Sequence, residues 1–162
     1  MSGASSWSFR EEDAKSIHAI LVDFLRESNA RTALIVDRTG QMITTAGEAP
    51  TFDPTAFASL TAADFSANDQ LAKMIGEPEF ASLFHQGEKE SMYLADVARR
   101  VILVVLFDQS TTVGMVRLKV KQTVTDLTKV FEDMFGRATQ GGPRPAGLLE
   151  GAEDEIDKLF GD

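Results

Sequence analysis

Apolar residues recur at helical spacing in Ile17, Ile20, Leu21, Phe24 and Leu25, while Glu12, Lys15, Asp23 and Arg26 take the opposite side. This pattern predicts an amphipathic helix with one stripe facing a core. Ser8 followed by Glu11 has the form of a capping box and sets the predicted start. After Asn29 the period changes. Ala33-Leu34-Ile35-Val36 and Gln41-Met42-Ile43-Thr44-Thr45 flank Asp37-Arg38-Thr39-Gly40, which reads as two strands about a turn whose Gly can take a positive φ. A loop with Pro50 and Pro54 leads to a second helix over roughly residues 55–75, ended by Gly76 and Pro78.

The second helix divides into three faces. Phe57, Leu60, Ala67, Leu71, Met74 and Ile75 form one apolar face, and Ala58, Ala62, Phe65 and Ala72 form another. Ser59, Ala63, Ser66, Gln70 and Lys73 form a narrow face of small and polar groups. Two apolar faces need two things to bury against. The first has the chain's own sheet; the second has either another subunit or a loop folded over Phe65.

From Glu88 the pattern predicts three more strands, at residues 91–95, 100–107 and 113–120. Short connections make them antiparallel, since a parallel return needs a crossover of about a dozen residues. The middle run, residues 101–107, has no alternation and so is covered on both faces. The last run alternates Val116, Leu118 and Val120 with Arg117, Lys119 and Lys121. A third helix is predicted from about Thr123, with Val124, Leu127, Val130, Phe131, Met134 and Phe135 as its stripe and its stop at Gly136. The polar stretch Asp108-Gln109-Ser110-Thr111-Thr112 then reads as a hairpin turn. It is not read as a phosphate cradle, which needs converging N–H groups at a helix start. The fold class is α+β: a five-stranded antiparallel sheet with helices on both faces, in the order α-β-β-α-β-β-β-α.

At 162 residues and 43% hydrophobic, the chain can bury a core without staples. It has no cysteine, which excludes disulfides, thiolate metal sites and a cysteine nucleophile. With 16 basic and 25 acidic residues the net charge is −9, which argues against a general attraction to nucleic acid or anionic lipid. The first six residues lack a secretory pattern and no apolar run has the length to span a bilayer, so a soluble, cytoplasmic protein is expected. His18 reads as a partly exposed helix residue and His85 as a loop residue beside Phe84, neither at metal-ligand spacing. No P-loop or nucleophile-elbow motif is present, and acidic pairs such as Glu11-Glu12 and Glu153-Asp154 fall on a helix start and a tail. The chain is expected to have no catalytic residue, metal or cofactor of its own, and not to be an enzyme.

Three segments follow: residues 1–7 without predicted order, a domain over 8–137, and a tail over 138–162. The tail opens with a Gly/Pro linker and continues into Leu149, Ala152, Ile156, Leu159 and Phe160 on one helical face among acidic residues. An acidic amphipathic segment on a tether reads as a binding element rather than a solubilising one.

The element order, together with "ALIVDRTGQMITTAGE", "FASLTAADFSANDQLAKMIGEPEF", "FHQGEKESMYLADV" and "RRVILVVLFDQSTTVGMVRLKVK", resembles the Roadblock (dynein light chain) family, and within it the MglB-like polarity regulators of bacteria. The resemblance runs from about Phe9 to Phe135 and resumes at "EDEIDKLF". It implies a Roadblock/profilin-like fold and a homodimer formed by third strands edge to edge and second helices side by side. It further implies a composite surface holding one small Ras-like GTPase of the MglA type, with the dimer acting as a GTPase-activating protein in cell polarity or motility, in the cytoplasm and at a cell pole. The family supplies no arginine finger; it repositions the partner's own switch residues. Carried onto this chain, the dimer seam maps to Ala62, Phe65, Met92, Tyr93 and Leu94, and the GTPase surface to Ala63, Ser66, Ala67, Gln70 and Lys73. A second partner contact, associated with nucleotide exchange, maps to Ile156, Leu159 and Phe160. The family's docking face is rich in Ala and Gly, whereas Asp69 and Gln70 here are larger and polar. A non-activating Roadblock scaffold is therefore the alternative, and a small-molecule sensor domain a more distant one.

Overall fold

In the computed structural model, residues 10–140 are described, with side chains through residue 137. The order is α1 (Glu11–Ser28), β1 (Thr32–Asp37), β2 (Met42–Gly47), α2 (Pro54–Met74), β3 (Ser82–Gln86), β4 (Ser91–Val97), β5 (Val101–Phe107) and α3 (Val113–Gln140). The five strands form one antiparallel sheet ordered β2-β1-β5-β4-β3. The predicted α-β-β-α-β-β-β-α order therefore stands.

Two strands differ from the expectation, in compensating ways. Residues 113–120 open α3 instead of forming a strand. Val116 and Val120 satisfy both a period of two and a period of 3.6, and their continuation to Thr123, Leu127, Phe131 and Met134, all buried, follows the helical one. Leu118, which alternation would have buried, is 60% exposed. Asp108-Gln109-Ser110-Thr111-Thr112 is accordingly a strand-to-helix connection: Thr112 Oγ1 caps the helix by accepting the Met115 N–H at 3.1 Å. The missing fifth strand is β3, whose Ser-Leu-Phe-His-Gln lacks β-branched residues and so carried little strand signal. His85 is thus a strand residue, not a loop residue.

Helix ends also moved. Arg10 precedes α1, and its N–H donates to the Asp13 carboxylate at 3.1 Å; Ser8 lies outside the described residues. Asp13 also binds Arg137, which joins the start of α1 to the last turns of α3. α3 passes the predicted stop at Gly136 and reaches Gln140. The Gly/Pro stretch beyond it, with Ile156, Leu159 and Phe160, lies outside the described residues.

Alternate residues of the sheet serve two cores. Ala33, Ile35, Tyr93, Ala95, Val97, Val101, Leu103, Val105 and Phe107 join the apolar stripes of α1 and α3. Leu34, Val36, Leu94, Ile102 and Val104 pack under α2. β5 is central and covered on both faces, which is why it shows no alternation. The β1–β2 turn touches α2 closely: Gly40 has φ +100°, and a Cβ there would stand 3.3 Å from the Ser59 Cα.

Candidate functional site

α2 is fixed locally by its ends. Asp53 accepts the Thr55 N–H at 3.1 Å and Pro54 occupies the first turn; Gly76 at φ +90° lets the Glu77 N–H return to the Ala72 carbonyl. Its buried side is Ala58, Thr61, Ala62, Phe65, Asn68 and Ala72. The two apolar faces therefore lie the opposite way round from the sequence reading. Phe65 is fully buried, packing in the sheet core with Leu34, Val36, Leu94, Ile102 and Val104, so it is not available to a second subunit. Ala62 is buried with it.

The other apolar face looks outward. Leu60, Leu71, Met74 and Ile75 are 70%, 57%, 81% and 71% exposed, four of the six large apolar side chains so exposed among the described residues. Ala63 and Ala67 lie between them, both exposed, giving a stripe on which small side chains leave room for close backbone approach. Ser66, Gln70 and Lys73 flank the stripe and are exposed as well. All five residues carried over as the GTPase surface thus share one accessible flank of α2.

The strand residues carried over as the dimer seam do not lie at a sheet edge. β4, which contains Met92, Tyr93 and Leu94, is hydrogen-bonded to β3 on one side and β5 on the other, and Tyr93 and Leu94 are buried. An interior strand has no free backbone groups for a second sheet. The sheet edge on this side is β3, which pairs only with β4 among the described residues. Phe84 anchors it in the α1/α3 core, stacking 6.1 Å from Phe107. On the opposite face, His85 Nε2 lies 2.5 Å from Asp64 Oδ2 on α2. This contact ties the sheet edge to α2 at Asp64, one turn from Leu60 and Ala67 of the outward stripe. Periodicity signals both faces of α2, but not which of them points inward.

Below the surface, Arg38 from the β1–β2 turn binds Asp69 at 2.8 Å and also Asp96, with its guanidinium 5.1 Å over the Phe65 ring. Burial by itself pulls the guanidinium's pKa down, but hydrogen bonds and charges from Asp69 and Asp96 overcome it and leave the pKa raised. Asp69 is thereby held inward, off the outward flank. Gln70 is exposed, so of the two polar departures it alone lies on the outward flank.

An open cleft of about 620 Å³ lies on the α2 face, lined by residues including Phe52, His85, Met92 and Leu106. Arg31 at its rim is taken up by Glu48 and Glu90. Among the described residues no cluster of three His, Asp or Glu could hold a metal, and no helix is long and apolar enough to cross a membrane. The assembled features are an apolar helix stripe with a polar flank, beside a strand that is paired on one side only among the described residues.

Residues 17–107 match the Roadblock/LC7 domain. MglB of Myxococcus xanthus is 43% identical, covering 78% of this chain and 95% of its own, with a TM-score of 0.73. The gliding protein MglB of Thermus thermophilus is 30% identical over 79% of this chain and 97% of its own, with a TM-score of 0.73. A third solved structure, described as MglB with a tetrameric arrangement, is 30% identical over 80% and 97%, with a TM-score of 0.74. No protein of curated function matches the chain in sequence. The family match spans more than half of the chain and coincides with the sheet and the first two helices, so the protein belongs to the Roadblock/LC7 domain family, with MglB proteins among its close structural neighbours.

Proposed function

We propose that this protein is a homodimeric regulator of a small Ras-like GTPase of the MglA type, acting as a GTPase-activating protein in cell polarity or motility. The observation that carries the reading is the outward stripe of α2 running beside the free edge of β3, in a chain 43% identical to Myxococcus MglB. Two copies join along β3, with Leu60 and Leu71 of each α2 packed across the seam. Burying one such leucine contributes ~1.5–3 kcal/mol. The flank left open, with Ala63, Ser66, Ala67, Gln70 and Lys73 from each copy, receives one GTPase. Ala63 and Ala67 admit its backbone, and Ser66, Gln70 and Lys73 offer hydrogen bonds. The chain places no catalytic group in the partner's nucleotide site; acceleration comes from holding the GTPase's switch segments in their hydrolytic arrangement. Self-association accords with the tetrameric arrangement of one MglB relative, and motility with the gliding function named for another. The protein works in the cytoplasm, concentrated at a cell pole. Ile156, Leu159 and Phe160 supply a second, weaker contact that gains strength from tethering.

Exposed Gln70, a long side chain on a flank that the family keeps small, favours a second reading in which the dimer binds a GTPase without activating it. Single-turnover GTP hydrolysis by an MglA-type GTPase, with and without this chain and alongside a binding measurement, separates the two. Faster hydrolysis is expected; binding with unchanged hydrolysis makes the protein a scaffold. Ser66→Arg or Gln70→Arg should abolish binding while light scattering still shows a dimer, and Leu71→Arg should give a monomer. Retained binding in both flank variants would move the interface elsewhere.

A further inference from the structure

Two large apolar side chains are exposed away from α2: Met115 at 40% and Leu118 at 60%, both on α3. They stand among cations. Between residues 113 and 125 the helix carries Arg117, Lys119 and Lys121 and no acid; Lys129 follows among Asp126, which is engaged by Gln122 at 3.0 Å, and Glu132 and Asp133. Arg117 lies over the Tyr93 ring, while the three lysines make no ion pair among the described residues. Lys119 and Lys121 add nothing to the stability of α3 itself. The start of a helix is the positive end of its dipole, where acids and not lysines are favourable, and the first turn has no acid. In a chain of net charge −9, a basic strip with apolar tips needs another explanation.

The chain itself contains the complement. Residues 149–160 hold Glu150, Glu153, Asp154, Glu155 and Asp157 against Lys158 alone, with Leu149, Ile156, Leu159 and Phe160 as apolar groups. We propose that this segment docks back onto the outward face of α3 of the same chain. It runs antiparallel to the helix, with its carboxylates opposite Lys119, Lys121 and Lys129 and with Ile156, Leu159 and Phe160 over Leu118 and Met115. The chain length permits it. Measured along the axis from Gln140, Lys129 is ~17 Å back and Met115 ~38 Å back. The eight residues 141–148 reach up to ~27 Å, and twelve more residues add ~18 Å if helical. The contact is individually weak and is sustained by its short tether. A segment resting there is withheld from any partner that needs Ile156, Leu159 and Phe160, so such a partner must compete it away.

The contact is independent of any GTPase and is tested on the full chain alone. Because the chain has no cysteine, Gly161→Cys provides a single site for a nitroxide label. Amide signals of residues 115–129 should be selectively broadened, and the broadening should disappear in ~0.5 M salt. It should also disappear in the Lys119→Glu/Lys121→Glu/Lys129→Glu variant and return when Glu153→Lys, Glu155→Lys and Asp157→Lys are added. All of these lysines are at least partly exposed, and circular dichroism of each variant confirms the fold. Unbroadened α3 signals in the native chain overturn the proposal, as does broadening centred on another element. Equal broadening of an unlabelled, isotope-enriched chain mixed with labelled chain would place the segment on a second copy, overturning docking in cis. Lys121-dependent sedimentation with phosphatidylserine vesicles, without broadening, would make the strip a lipid-binding face instead.

Discussion

Replacing Phe65 with alanine discriminates sharply between a core residue and a seam residue. The ring is fully buried among Ala58, Leu34, Val36, Leu94, Ile102 and Val104, all of the same chain, and carries the Arg38 guanidinium 5.1 Å above it. Truncating a buried phenylalanine costs ~3–5 kcal/mol, because the cavity collapses only partly. Losing a partly exposed cation–π contact adds ~0.5–1 kcal/mol. Against a total stability of ~5–15 kcal/mol, a loss of ~4 kcal/mol leaves a marginal fold. In urea unfolding followed by circular dichroism, with a slope of ~2 kcal/mol per M, the midpoint should fall by ~2 M. That fall should be the same at low and high protein concentration, since the lost contacts are within one chain. Leu71→Ser should behave oppositely, with little intrinsic loss and a changed dependence on protein concentration. If Phe65→Ala keeps its midpoint within ~0.3 M of the native chain and only dissociates the dimer, the assignment of the α2 faces is wrong.

Three further outcomes concern other parts of the fold. Arg38→Ala leaves two largely buried carboxylates, Asp69 and Asp96, without their shared cation; it should cost about 3 kcal/mol in unfolding experiments, with part of the loss recovered by adding Asp69→Asn. Ala98 and Arg99 form the β4–β5 turn at φ 56° and 61°, so Arg99→Gly should raise stability by about 0.5–1 kcal/mol by relieving one left-handed residue, a gain exceeding the exposed ion pair to Glu79 that it removes. Asp108 accepts hydrogen bonds from the Ser110 hydroxyl and N–H, which lower its pKa from the ordinary aspartate value. Its bonds to the loop therefore persist at neutral pH and are lost only as pH falls through that depressed value, and a carboxyl-carbon titration should show a low midpoint in the native chain that rises only part of the way to the ordinary one in Ser110→Ala, where the backbone N–H remains.

Whatever depends on local pattern, or on the joint order of segments, is legible in the chain before it folds. The stripe of α1, the β1–β2 hairpin about Asp37 and Gly40, the limits of α2 and the double burial of β5 are each written in a period, a turn residue or a cap. The spacing of these segments is enough to recognise the Roadblock family. Packing settles what two patterns leave degenerate. Residues 113–120 suit a strand or a helix equally until Thr123, Leu127 and Phe131 extend one period and not the other. Both sides of α2 are apolar, and only the packing of Phe65 on Leu34, Val36 and Ile102 shows which of them is core and which is surface. β3 has no β-branched residue and only Phe84 to favour a strand; it exists because β4 offers unpaired N–H and C=O groups, and satisfying them outweighs the weak propensity of Ser82, Leu83, His85 and Gln86. The candidate site rests on the orientation of α2 and the pairing of β3. Its residue types are readable one by one, but hydrophobic burial has no direction until a second surface is present, so its orientation and its free edge emerge only in the assembled sheet.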